Sequence, residues 1–109
     1  MYTYQAELIE VIDGDTLDLK VDLGFDTEVN IRVRLLGVDA PEKRTKNLDE
    51  KERGIAATNF VREVFSRNQN KCIVRTTKDK KEKYGRYLAT VLFGDNSLNT
   101  MLLENNHIK

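Results

Sequence analysis

Two periodicities and their order predict an α+β fold, an all-β core with helices. Side chains alternate with period two along five short runs. A stretch with helical spacing separates the third run from the fourth, and a second short helical stretch follows the fifth. Gln5 to Ile12 alternates loosely. Thr16 to Leu23 alternates strictly, with Leu17, Leu19, Val21 and Leu23 on one face and Asp18, Lys20 and Asp22 on the other. Between them Asp13-Gly14 is a short-turn signature for a hairpin. A second turn at Gly24-Phe25-Asp26 leads into Glu28 to Leu36, where Val29, Ile31, Val33 and Leu35 face one way, which predicts a three-strand antiparallel meander.

Pro41 ends the meander, and residues 43–53, charged and without apolar periodicity, read as a surface loop. From about Arg53 the apolar positions Ala57, Phe60, Val61, Val64 and Phe65 fall on one helical face. Lys71 to Thr77 and Tyr87 to Phe93 are again β-rich, joined by a basic loop at 78–86. Asn96 or Ser97 then caps a final helix over Leu98 to Asn105. Five strands with a helix between the third and fourth give the pattern of a five-stranded OB-type barrel, one domain spanning 1–109.

Composition narrows the chemistry. At 109 residues and 39% apolar, the chain supports one modest core. The lone Cys72 has no partner for an internal disulfide and reads as core, and no Cys/His cluster suits structural zinc. The single histidine, His107, lies near the C-terminus, so an internal imidazole base is not expected. Carboxylates, arginines, lysines or a bound ion must do any catalysis. Without a membrane-length apolar run or a signal peptide, the chain reads as cytoplasmic, with a secreted mature fragment as the alternative. Net charge is zero, but residues 1–42 hold ten acidic and three basic side chains, against eight and fifteen in 43–109. One half can hold cations and the other phosphates.

In an antiparallel meander the start of the second strand and the end of the third share one sheet end. Asp15, Asp39 and Glu42 should therefore meet at one rim, with Asp13 in the adjoining turn. Clustered carboxylates repel unless a positive charge sits among them, and oxygen-only ligands favour a hard cation. Arg34, on the polar face near the end of the third strand, suits a phosphate ester beside such a cation. Arg86, at the start of the fifth strand, is a second candidate clamp.

Three stretches, Val11-Ile12-Asp13-Gly14-Asp15-Thr16, Arg34-Leu35-Leu36-Gly37-Val38-Asp39-Ala40-Pro41-Glu42 and Lys83-Tyr84-Gly85-Arg86, resemble the signature blocks of the staphylococcal nuclease (thermonuclease) family, in the family's order. The resemblance extends from about Tyr4 to Glu104. It implies a Ca²⁺-dependent endonuclease acting on DNA and RNA that cleaves on the 5′-oxygen side and leaves 3′-phosphate ends. By the same resemblance Asp15 and Asp39 are carboxylate ligands of calcium, and Ala40, where many members have Thr, supplies a main-chain carbonyl. Glu42 assists the attacking water, Arg34 and Arg86 bind the phosphate, and Lys83 and Tyr84 touch a terminal phosphate. Family members commonly continue past the second helix, which implies weaker nucleotide binding here with the chemistry retained.

The expected partners are DNA and RNA substrates, with no membrane, and the expected state is a monomer. A catalytically inactive OB-type nucleic-acid-binding or scaffold module is the second class. Such modules usually lose the carboxylates or the arginines, whereas Asp15, Arg34, Asp39, Glu42 and Arg86 are all present. A barrel unrelated to nucleic acids is the third class.

Overall fold

A computed structural model describes residues 2–76 and 85–109. Its elements run β1 (Tyr2–Asp13), β2 (Thr16–Asp22), β3 (Glu28–Leu35), α1 (Leu48–Arg67), β4 (Lys71–Thr76), β5 (Tyr87–Phe93), β6 (Asn96–Ser97) and α2 (Leu98–Glu104). Strands β3, β2, β1, β4 and β5 are neighbours in that order. A parallel pairing of β3 with β5, in which Arg34 meets Leu88, closes the sheet into a five-stranded barrel. Strand β6 adds two residues to β5 alone. The fold is the OB-type barrel with one long and one short helix that the strand order predicts.

The alternating faces explain the closure. Leu17, Leu19, Val21, Val33, Leu35, Val74 and Val91 are all buried and fill the barrel. Long β1 bends around this core through register shifts between Leu8 and Glu10 and between Val11 and Asp13. Such bulges increase local twist and let one strand serve two sides of a barrel. Leu23 departs from the predicted core face: β2 ends at Asp22, and Leu23 is exposed in the turn that follows.

Helix α1 buries Ala57, Val61, Val64 and Phe65 against the barrel, and Phe65 meets Phe93 edge-on at 5.0 Å. Burying a side chain such as Phe65 stabilises by roughly 1.5–3 kcal/mol. The helix begins at Leu48, so the loop expected over 43–53 is corrected: its second half is helical. Asn47 caps the N-terminus, its side chain accepting from the Glu50 N–H at 3.2 Å, and Asp49 and Glu50 lie in the first turn. Capping and favourable dipole charges start this helix before any apolar face appears. Helix α2 is capped by Ser97, as one of the two expected caps.

A buried asparagine ties α2 to the barrel. Asn99 donates to the carbonyls of Leu36 (2.8 Å) and Ala89 (3.2 Å) and accepts from the N–H of Val91 (3.1 Å). Cys72 is buried on β4 as expected, and burial pushes its thiol up to about 12. No helix among the described residues is long and apolar enough to cross a membrane.

Candidate functional site

The site lies where three pieces of backbone meet at one barrel rim. The β1–β2 turn consists of Gly14 and Asp15, flanked by the pair Asp13 and Thr16. Thr16 pairs with Arg34, and the Leu35 N–H donates to the Asp15 carbonyl at 2.8 Å. The register therefore sets the start of β2 beside the end of β3, as a meander requires. Gly14 serves close approach: a Cβ there would lie 2.9 Å from the Ala57 Cβ and 3.0 Å from the Ala40 Cβ. The turn is thus pressed between helix α1 and the loop that follows β3.

Asp15 is buried, and the protein itself occupies its carboxylate. Oδ2 accepts from the Ala40 N–H at 3.1 Å and Oδ1 from the Thr16 hydroxyl at 3.0 Å. Arg34 Nη2 stands 3.7 Å from Asp15 Oδ2 and 3.6 Å from Asp39 Oδ1. One half-buried guanidinium therefore lies between two carboxylates, one buried and one open to solvent. Asp13 belongs to the same electrostatic neighbourhood. Burial and the charge of Asp15 raise its pKa, with Glu42 adding to the rise while Lys43 and Arg44 pull it back.

Glu42 is joined to the site through the C-terminal residue. Lys109 Nζ stands 3.8 Å from Glu42 Oε1 and 3.6 Å from Glu50 Oε1, and the Lys109 N–H donates to the Asp39 carbonyl at 2.7 Å. Arg86 is half-buried and immediately precedes Tyr87, whose register partner is Val33 beside Arg34. The structure thus brings together Asp15, Arg34, Asp39 and Ala40 in direct contacts and sets Arg86 next to the strand of Arg34. Lys83 and Tyr84 lie outside the described residues.

The expected meeting of three carboxylates takes a narrower form. Among the described residues no group of three acidic, His or Cys side chains is close enough to hold a metal ion. Two carboxylates share one guanidinium, with the Ala40 main chain alongside. Two aspartates sharing one guanidinium are oxygen donors of the kind that fit a hard cation, which would take water or substrate oxygens for its remaining positions. Thr16, Gly54, Asn99 and Lys109 escape a reading of the sequence. A buried asparagine in an apolar helix face was the one available signal, for Asn99. Thr16 bonds its sequence neighbour Asp15, while Gly54 and Lys109 depend on which distant segments come close.

A family model described as Staphylococcal nuclease homologue matches residues 32–106. The chain is 39% identical over 92 residues to a thermonuclease of Staphylococcus intermedius, covering 84% of this chain and 51% of the relative. It is 34% identical over 96 residues to a thermonuclease of Staphylococcus hyicus, covering 88% and 53%. It is also 30% identical over 88 residues to a micrococcal nuclease of Shigella flexneri, covering 81% and 42%. The chain spans about half the length of the curated relatives it matches.

Proposed function

Because the chain belongs to the staphylococcal nuclease homologue family, we propose that it is a calcium-dependent endonuclease that hydrolyses phosphodiester bonds of DNA and RNA on the 5′-oxygen side, leaving 3′-phosphate ends. The observation that carries this reading is the Arg34 guanidinium within 3.7 Å of Asp15 and 3.6 Å of Asp39. A phosphate ester and a divalent cation can divide that arrangement between them. The carboxylates would hold the cation, and the guanidinium would donate to the phosphoryl oxygens.

Asp15, Asp39 and the Ala40 carbonyl would hold the ion. When bound, calcium supplies the positive charge that polarises a phosphoryl oxygen. Each Asp15 oxygen accepts one hydrogen bond, from the Ala40 N–H and the Thr16 hydroxyl, which orients the carboxylate and leaves each oxygen lone-pair capacity for a ligand. Arg34 and Arg86 donate to the phosphoryl oxygens and stabilise the charge that grows on them in the transition state. Glu42, more exposed at the rim, orients the attacking water and accepts its proton. Lys83 and Tyr84 enter the proposal from sequence, as contacts to a terminal phosphate of the substrate.

Digestion of plasmid and single-stranded DNA in Ca²⁺ or in EDTA tests the reading. Cleavage is expected in Ca²⁺ and not in EDTA. It should fall by about 10²–10⁴ in Glu42→Gln and Arg34→Ala. Cleavage that persists in EDTA, or is unchanged in both variants, overturns it. Binding without cleavage by the wild type would instead favour the nucleic-acid-binding module.

A further inference from the structure

We infer that two residues outside the 39–43 loop, Gly54 on α1 and Lys109 at the C-terminus, act as positioning residues that hold Glu42 in place. Their importance for turnover rests on the nuclease reading, but the clamp itself does not. Gly54 is buried within a helix whose neighbouring residues Arg53 and Ile55 are exposed. Its conformation is helical, so no backbone requirement selects glycine there. A helical glycine is less favourable than alanine by roughly 1 kcal/mol.

Close approach supplies the reason for glycine. A Cβ at Gly54 would lie 2.5 Å from both the carbonyl carbon and oxygen of Glu42, and 2.6 Å from the Lys43 nitrogen. These are backbone atoms, so no rotamer change can relieve the clash. The Glu42–Lys43 peptide rests directly on the helix surface. The carboxylate end is tethered separately, by Lys109 Nζ at 3.8 Å. Lys109 also bridges to Glu50 on α1 and donates its main-chain N–H to Asp39. One residue thereby links the loop that carries Asp39 and Glu42 to the first turn of α1. Gly54 sets where the peptide of Glu42 sits, and Lys109 limits where its side chain points. Neither contacts Asp15 or Arg34 in the hydrogen bonds and ion pairs described above.

The test compares wild type, Gly54→Ala, Lys109→Met, Glu42→Gln and the Gly54→Ala/Glu42→Gln double variant. Single-stranded DNA hydrolysis in Ca²⁺ gives kcat and KM, and a crystal structure of Gly54→Ala gives the position of Glu42. Moving from 2.5 Å to an ordinary contact of 3.4 Å or more displaces the Glu42 backbone by about 1 Å relative to Asp15. Misplacement of that size costs about 10²-fold. The expected result for Gly54→Ala is a loss of that order in kcat with KM within about twofold, and almost no further loss when Glu42 is already Gln. Lys109→Met, altered only at its partly exposed side chain, should lower kcat about two- to fivefold, the equivalent of a surface ion pair.

An unmoved Glu42 in Gly54→Ala, or a loss that multiplies fully with Glu42→Gln, overturns the role of Gly54. Should Gly54→Ala not fold, an unchanged kcat in Lys109→Met overturns the clamp, and a selective loss of kcat there upholds it. A wild type without cleavage whose Gly54→Ala variant still displaces Glu42 rejects the nuclease reading and retains the clamp.

Discussion

The backbone N–H of Ala40 donates to Asp15 Oδ2 at 3.1 Å, joining two loops 25 residues apart in sequence. The bond fixes an aspartate carboxylate from the side of the loop that carries Asp39. It makes the separation of the two acids a property of the folded backbone, with Arg34 neutralising both from between them.

Asp15→Ala removes the acceptor for the Ala40 N–H and the Thr16 hydroxyl, both on buried residues. Unsatisfied buried donors cost roughly 1–3 kcal/mol each. Urea unfolding without divalent ions should show a loss of about 2–6 kcal/mol for the two donors together. Asp15→Asn should weaken Ca²⁺ binding by calorimetry, and an unaltered dissociation constant would remove Asp15 from the ligand set.

Arg34→Lys keeps a positive charge but loses the planar fork that can reach two acceptors at once. The proposed phosphate clamp predicts a fall of about 10²–10³ in the rate of DNA hydrolysis. A lysine variant as active as wild type would mean that charge alone suffices at this position.

Asn99→Ala leaves the Val91 N–H without its acceptor and two carbonyls, on Leu36 and Ala89, without their donor. With these groups in the barrel wall, the expected cost is about 2–4 kcal/mol. Thermal or urea unfolding measures it. A loss below 0.5 kcal/mol, the ordinary range of surface changes, would show that water replaces the asparagine.

Cys72 gives an alkaline prediction with a definite sign. Burial raises the folded thiol from 9.0 to about 12, so above pH 9.0 the unfolded chain loses a proton that the native state keeps. Stability therefore falls as pH rises through that window, by at most about 1.4 kcal/mol per pH unit. Cys72→Val should remove this component, read as a shallower decline in urea midpoint above pH 9.0. The native thiol should also resist a thiol reagent at pH 8 and react on unfolding.

The departures between patterning and structure have physical causes. Leu23 continues the apolar alternation of Leu17, Leu19 and Val21, yet the strand ends before it. Gly24, Phe25 and Asp26 turn the chain with positive φ angles of 80°, 54° and 59°. Leu48 to Lys51 lack an apolar face and still form helix, because the Asn47 cap and the charges of Asp49 and Glu50 satisfy its N-terminus. Asp13-Gly14 signalled the hairpin, but the turn residues are Gly14 and Asp15, and the glycine is needed for contact with Ala40 and Ala57, which turn propensities do not contain.

Strand order, the helix between β3 and β4, and the placing of Asp15 and Arg34 at one rim were encoded in local periodicity and turn residues. Period-two burial and antiparallel register are short-range constraints that a linear pattern can express. The approach of Gly54 to the Glu42 peptide, the reach of Lys109 to Glu42 and the sharing of Arg34 by two aspartates are settled by tertiary packing. Those contacts depend on where separate segments lie to within an ångström, a distance set by packing of the whole core rather than by any one stretch of chain.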